Sequence, residues 1–344
     1  MIIDFSKILE TKPNAINEFE TKVLNFINEW NSDKKTVKIQ TSGSTGKPKI
    51  LDIEKSKMLN SAKMTCDFLT LEKGNSALLC LPVEYISGKM MIVRSILKNL
   101  KLHISEPSLR PLKNLNENID FCAMTPLQVE NSLDKLYLIK NLIIGGASIS
   151  QNLREKIQML KTENQMSEIK IFETYGMSET LSHIALKQIF PNPKNEFTIF
   201  DEIEISLDKR GCLCIFAPKL NSEILQTNDL VKIINKKQFC FLGRIDNVIN
   251  SGGAKIFPEE LENLVKAEIP NEAVFLGIDD QKLGQKLVLI IEGKTDENLK
   301  SKISNLKFQK SFHKPKEIVF VEKIPRTETG KVSRIQLKEL ILKQ

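Results

Sequence analysis

TSGSTGKPK, residues 41–49, lies between the strand-like VKIQ at 37–40 and KILDI at 49–53. Gly43 and Gly46 let the backbone take φ > 0 and approach a ligand with no Cβ in the way. Thr41, Ser42, Ser44 and Thr45 supply hydroxyl and amide donors, and Lys47 and Lys49 supply positive charge. Such a loop is shaped for phosphate. It is not the Walker A loop, which needs G-x-x-x-x-G-K-[ST] opening a helix, because Gly43 and Gly46 are too close together and Lys47 is followed by Pro48. By itself the same stretch also reads as a polar turn between two strands, so its company decides.

That company is YGMSET at 175–180, GRIDNVINSGG at 243–253 and PRTETGK at 325–331. The chain between them alternates strands and helices. Ile16, Phe19, Val23, Phe26, Ile27 and Trp30 recur at helical spacing. Apolar strands precede helices at ALLCLP (77–82), DFCAMTP (120–126) and NLIIGGA (141–147), the last running into a serine-capped amphipathic segment, SISQNLREKIQML. This alternation predicts an α/β large domain, parallel sheets covered by helices. From about Phe197, EIEISLDKRGCLCIF and DLVKIINKKQFCFLG read as hairpins turning at 208–211 and 235–237, a terminal β-hairpin region closing that domain. A small α+β C-terminal domain follows, with strands near VINSG, EAVFLGI, KLVLIIE and EIVFVEKI and helices at PEELENLVKAE and DENLKSKISNL. The expected boundaries are a large domain at 1–243, a hinge at 244–247 and a mobile small domain at 248–344.

Composition agrees. A chain of 344 residues, 41% hydrophobic, suits two unequal cores. The net charge of +7 comes with lysines interleaved among glutamates and only 6% aromatic residues, which fits anionic small molecules rather than nucleic acid. The N-terminal MIIDFSKILETKPNAINEFE lacks a basic start followed by an apolar run, and runs such as LVLII at 287–291 are too short to span a membrane, so a cytoplasmic protein is expected. Cys66, Cys80, Cys122, Cys212, Cys214 and Cys240 read as reduced core thiols, with Cys212 and Cys214 alternating on one strand face. Oligomeric state is left open, a homo-oligomer included.

The four motifs, in this order and over nearly the whole chain, resemble the signature motifs of the adenylate-forming (AMP-binding) acyl-CoA synthetase superfamily. The resemblance implies that a small-molecule carboxylic acid is joined to the α-phosphate of ATP with loss of pyrophosphate, after which the thiol of coenzyme A displaces AMP. Positioning and charge do most of that work. On this reading residues Thr41, Ser42, Gly43, Ser44, Thr45, Gly46 and Lys47 hold the β- and γ-phosphates. Glu179 takes the place of the Mg²⁺ ligand, a hard carboxylate beside phosphates. Tyr175, followed by Gly176, is expected against the adenine face, opposite a backbone wall made by Gly145, Gly146 and Ala147. Thr180 is expected at the α-phosphate or the substrate carboxylate. Asp229 matches the acceptor of the ribose hydroxyls, although the family more often has Gly where Asn228 stands. Arg244 is expected to share the ribose and phosphate side, Asp246 to be the hinge residue, and Gly252 and Gly253 to line a path for coenzyme A. Lys331 matches the adenylation lysine, a point charge on a flexible stem.

Within the superfamily the short large domain, YGMSET and PRTETGKVSR most resemble the o-succinylbenzoate:CoA ligase group of menaquinone biosynthesis. LPVEYISGK (81–89) corresponds to the acyl-pocket segment, with Tyr85 where relatives commonly carry histidine, so Tyr85 is the pocket candidate. Lys89 and Arg94 are candidates for a second carboxylate, against the plainer reading as exposed helix charges. Two alternatives stand: an enzyme for another aryl or fatty acid or for a carrier protein, and a nucleotide-binding module without catalysis.

Lys331→Ala is expected to lower acyl-adenylate formation by about 10² to 10³ or more, while thioester formation from supplied acyl-adenylate stays largely intact. Pyrophosphate release and thioester yield measure the two halves, and equal loss of both would remove the division of labour.

Overall fold

A computed structural model describes residues 1–7, 13–41, 49–160, 169–326 and 332–343. In the first part of the chain the strands are β1 (Ile2–Asp4), β2 (Thr36–Thr41), β3 (Lys49–Glu54), β4 (Ser76–Leu79), β5 (Lys101–Ile104), β6 (Ile119–Met124), β7 (Ile139–Ile144) and β8 (Lys170–Gly176). The helices among them are α1 (Glu18–Asn31), α2 (Lys55–Phe68), α3 (Ile86–Lys98), α4 (Pro126–Glu130) and α5 (Gln151–Met159). β9 (His183–Phe190), β10 (Phe197–Ile199), β11 (Glu204–Leu207), β12 (Cys212–Ala217), β13 (Asn221–Asn235) and β14 (Gln238–Arg244) complete the large unit.

One twelve-stranded sheet runs through it, in the order β1-β5-β4-β6-β7-β8-β9-β10-β14-β13-β12-β11. β5, β4, β6, β7 and β8 are parallel, and every other pairing is antiparallel. The expectation of parallel sheets closed by hairpins is thus refined: the two hairpins extend the same sheet, because their unpaired edge continues the ladder from β9. β2 and β3 stand apart as a two-stranded hairpin.

Parallel strands bury both faces, and period-two alternation decides what each side chain meets. Ala77, Leu79, Phe121, Ala123, Ile143 and Phe172 enter the core shared with α1, α2 and α3. Their neighbours Leu78, Cys122, Met124, Leu142, Ile144 and Ile171 enter the core shared with α4 and α5. Local signals start the helices. Thr125 and Gln128 form a reciprocal capping box at α4, and the Ser150 hydroxyl accepts from Leu153 N–H at α5. α1 begins two residues later than the apolar spacing implies, because Asn17 caps it by accepting from Glu20 N–H at 2.8 Å and leaves Ile16 86% exposed.

The last core residue of the large sheet is Phe239 and the first of the small unit is Ile249. Between them a 3₁₀ turn spans Ile245–Asn247. The small unit contains β15 (Ile249–Ser251), β16 (Ala254–Ile256), β17 (Ala273–Asp280), β18 (Gly284–Glu292) and β19 (Glu317–Val321), with α6 (Pro258–Glu268), α7 (Glu297–Ser304) and α8 (Arg334–Leu342). β18 is its central strand, antiparallel to β17 and parallel to β19. α6 and α8 are joined by a buried ion pair: Arg334 donates both terminal nitrogens to Glu262, at 2.8 and 2.9 Å, and Glu262 also accepts from Phe275 N–H at 2.8 Å.

Glu262→Leu is expected to destabilise the small unit by about 3 kcal/mol, the low end for orphaning a buried charge, because a fifth of the Arg334 side chain keeps contact with water. Hydrogen exchange along β17 should accelerate on the order of 10²-fold.

Candidate functional site

Loops can carry chemistry only where the buried strands end. Leu81 follows β4, Met124 ends β6, Gly145 and Gly146 follow β7, and Gly176 ends β8; all line one cavity of about 540 Å³. β4 is followed in sequence by β5 on one side and by β6 on the other, so the cavity opens at a reversal of strand order, where open α/β sheets bind ligands. Ile39 and Leu51 of the β2–β3 hairpin form another wall, and Tyr85 and Arg94 enter from α3. Gly88 is what lets α3 sit this close, since a Cβ there would overlap the Pro82 carbonyl oxygen.

The phosphate-type loop is held from both ends. Thr41 and Lys49 are paired across the hairpin, and Gln40 N–H donates to Glu84 O at 3.3 Å, tying the hairpin to the start of α3. Ser42, Gly43, Ser44, Thr45, Gly46 and Lys47 lie outside the described residues, and so does Lys331. The flanks of Lys331 are close: Arg326 pairs with Val332, and Ser333 N–H donates to Pro325 O at 2.9 Å.

Gly145 N–H donates to Met124 O at 3.1 Å, and Gly146 has φ +87°, a conformation that favours glycine. A Cβ on Gly145 would come within 2.6 Å of Thr174 Oγ1, so this wall must be bare backbone. Ala147 is exposed beside it.

Tyr175, expected against a flat base, is only 9% exposed. Its ring lies among Phe197, Phe239 and Phe241, and its hydroxyl donates to Asp229 Oδ2 at 2.6 Å. Burial, then the Asp229 charge, pushes its phenol far above the ordinary range. Asp229, buried on β13, sits opposite Arg244 of β14, whose Nη1 donates to Asp229 Oδ1 at 3.4 Å. Arg244 Nη2 donates to Asp246 at 2.7 Å, and the Asn228 amide donates to both Asp246 oxygens at 3.2 Å. Tyr175, Asp229, Arg244 and Asp246 are therefore one connected polar row from β8 to the interdomain turn. Each Asp229 oxygen keeps a lone pair for a further donor.

Glu179 is exposed on the 3₁₀ turn Ser178–Thr180. A lone exposed carboxylate suits a magnesium ion that keeps several waters and comes with phosphates; the described residues contain no cluster of three or more ligating side chains that would form a closed metal cage. Thr180 departs from its expected place at the reacting groups. It is fully buried, its hydroxyl donating to Ser182 O at 2.8 Å and accepting from Met177 N–H at 3.0 Å, because the turn needs those bonds to close. Gly252 and Gly253, at φ +57° and +81°, make the β15–β16 turn in the small unit.

Tyr85 stands at the N-cap of α3 on the cavity wall. Lys89 does not face the cavity: its ammonium lies 4.4 Å from the Phe26 ring centroid, on the α1 side. Arg94 does face it. The side chain is 2% exposed, its Nε has no hydrogen-bond partner, and among the described residues no carboxylate lies in ion-pair range. Burial pulls its guanidinium down to about 10, which leaves it charged at neutral pH.

The AMP-binding enzyme family model matches residues 1–203, more than half of the chain. The chain belongs to the AMP-binding enzyme family. Among curated proteins, 2-succinylbenzoate–CoA ligase of Lactococcus lactis subsp. lactis is 25% identical over 98% of this chain and 76% of its own length. The enzyme of the same name from Haemophilus influenzae is 27% identical over 88% of this chain and 70% of its own. Among solved structures, an acyl-CoA synthetase (AMP-forming)/AMP-acid ligase II-like protein from Dyadobacter fermentans superposes with a TM-score of 0.67 at 32% identity, covering 99% of both chains. O-succinylbenzoate coenzyme A synthetase from Bacillus subtilis, in complex with ATP and magnesium ion, shares the fold with a TM-score of 0.71 at 21% identity, over 88% of this chain and 69% of that one.

Set in this family, the cavity also contains residues that sequence reasoning passed over. Ser182 and His183 line it beside Arg94. His183 lies just past YGMSET in a chain with only three histidines, a signal that composition alone offered.

Tyr175→Phe is expected to cost about 1 to 2 kcal/mol, since Asp229 is buried and loses a donor. The wild-type folded state holds the neutral phenol, so it should lose stability as pH rises above about 10, the ordinary tyrosine value. The variant should lack that contribution when urea unfolding is compared at pH 8 and 10.5.

Proposed function

We propose that this chain is an ATP-dependent acid:CoA ligase that converts a carboxylate to an acyl-adenylate and then to an acyl-CoA, with o-succinylbenzoate as the acid, in menaquinone biosynthesis. The observation that carries the substrate is Arg94. A buried, charged guanidinium without an anionic partner costs several kcal/mol unless a ligand neutralises it, and the other described side chains along its cavity, apolar ones together with neutral polar groups such as Gln40, Thr174 and Ser182, bring no carboxylate to it. An acid with one carboxylate to be activated and a second to be bound meets that need. Benzoate and fatty acids offer only one. The names of the similar proteins agree with this choice.

The roles follow from position. The loop anchored by Thr41 and Lys49 grips the β- and γ-phosphates. The bare backbone at Gly145 and Gly146 leaves room for the base, with Tyr175 fixing Asp229 so that its free lone pairs accept from the ribose hydroxyls. Glu179 would hold Mg²⁺ together with the phosphates, and the ion would supply charge to offset the phosphate oxygens. A carboxylate oxygen attacks the α-phosphorus as pyrophosphate departs, with Lys331 placed to offset the charge that develops. The second half-reaction needs a thiol to reach the acyl carbon. The turn at 245–247, where Asp246 is held by Arg244 and Asn228, is the hinge about which the small domain turns to bring Gly252 and Gly253 to that path.

With ATP, Mg²⁺ and coenzyme A, o-succinylbenzoate should give a thioester identifiable by mass, while benzoate and a fatty acid give little. Arg94→Met should lower kcat/KM for o-succinylbenzoate about 10²-fold or more. Thioester from another acid alone would keep the mechanism and discard the substrate.

A further inference from the structure

Arg94 is one end of a hydrogen-bond chain that crosses three elements. Its Nη2 donates to Ser182 Oγ at 3.3 Å, and that oxygen lies 3.3 Å from His183 Nδ1. On the far side of the ring, Nε2 lies 3.1 Å from Thr65 Oγ1 on α2. The Thr65 hydroxyl donates in turn to the Ser61 carbonyl at 3.2 Å, one helical turn back.

Donor and acceptor capacities orient the chain. A guanidinium only donates, so Ser182 accepts from Arg94 and its own proton is free for Nδ1. Thr65 directs its proton to Ser61, so its oxygen accepts from an Nε2–H. The opposite tautomer would put two donors on the Ser182 oxygen and take the side-chain donor from the Ser61 carbonyl. A neutral imidazole protonated on Nε2 satisfies every member and keeps the Thr65 bond to the Ser61 carbonyl. Its surroundings enforce neutrality, because burial and the nearby Arg94 charge hold His183 well below the usual histidine range. The ring is also fixed in plane by an edge contact with Phe200, centroids 5.4 Å apart.

We propose that His183 is a positioning residue for substrate selection: through Ser182 it aims the Arg94 guanidinium, while Thr65 anchors the imidazole to α2. Without it Ser182 is free to turn and donate elsewhere, and Arg94 loses its one oxygen acceptor among the described residues. The inference rests on Arg94 as the receptor for the second carboxylate of the acid.

Selectivity is the readout, taken as kcat/KM for o-succinylbenzoate relative to the mono-acid analogue that keeps the carboxylate to be activated and lacks the other. His183→Leu should lower this ratio ~10-fold, through KM, the scale of one hydrogen bond to a charged group. His183→Asn, which keeps an acceptor near Nδ1, should restore most of the selectivity, whereas His183→Gln, which keeps only a donor near Nε2, should not. Thr65→Val, close in shape, should move the ratio the same way and serves if the leucine variant does not fold. A ratio within twofold of wild type in His183→Leu, or equal loss in the Leu and Asn variants, overturns the proposal. Arg94→Met separates the two readings: a collapsed ratio there with an intact one in His183→Leu defeats only the histidine, and an intact ratio in Arg94→Met removes the receptor and this inference with it.

Discussion

A parallel strand buried on both faces can present functional groups only at its ends, and the rest of this molecule follows from that constraint. β4, β6, β7 and β8 give alternate side chains to two different cores, so along their length little is left to face a ligand, and residues that do, such as Thr174, lie near the strand ends. Their carboxyl ends open together, and the residues there are small or bent: Pro82, the Gly145–Gly146 pair and Gly176. A Cβ on Gly176 would overlap the His183 backbone, which shows how tightly the turn after β8 folds back on β9. The helices and the β2–β3 hairpin then need only lean over this end to enclose a cavity.

Charge inside the fold is arranged in two opposite ways. Glu173 on β8 is buried yet held below the ordinary carboxylate range: burial alone would raise it, but Lys187 at 2.7 Å and Arg154 at 2.6 Å outweigh that. That triad is complete and needs nothing from outside. Arg94 has no such partner, and its polar neighbours Ser182, His183 and Thr65 orient it without neutralising it. A satisfied buried charge is structure; one left unsatisfied in a cavity is a candidate site for an anion. The row from Tyr175 through Asp229 and Arg244 to Asp246 is intermediate. It fixes a carboxylate at the large sheet and extends the same hydrogen bonds to the turn before the small unit, where Asn228 and, through Asn228, Arg210 add further ties.

Much of this was legible in the order of residues. Local rules placed a serine cap at the start of α5 and the hairpin turns at 208–211 and 235–237, because capping and turn formation depend on neighbours in the chain. The phosphate-type loop between paired strands, the α/β alternation and the change to α+β after Asp246 needed no tertiary information either. Motif spacing went further and named Gly145, Gly146 and Gly176, which the fold brings to one cavity. Where local reasoning missed, a short-range hydrogen bond took precedence over the pattern. Ile16 matched the apolar spacing of α1 but lies outside the Asn17 cap, and Thr180 matched a motif but is occupied by its own turn.

By itself, then, the sequence determined the element types, the change from an α/β to an α+β pattern and the chemistry class, since each is written in short-range periodicity or in compact motifs. Only the tertiary structure decided which of two lysine-or-arginine candidates on α3 faces the cavity. Lys89 and Arg94 lie less than two helical turns apart and both are cationic, yet one packs over Phe26 and the other enters the site. Tertiary structure alone also joined Thr65, Ser182 and His183 to Arg94 and set Tyr175 against Asp229. Those bonds connect residues from different elements, up to 118 positions apart, and their energy depends on distance and desolvation, which no local pattern encodes.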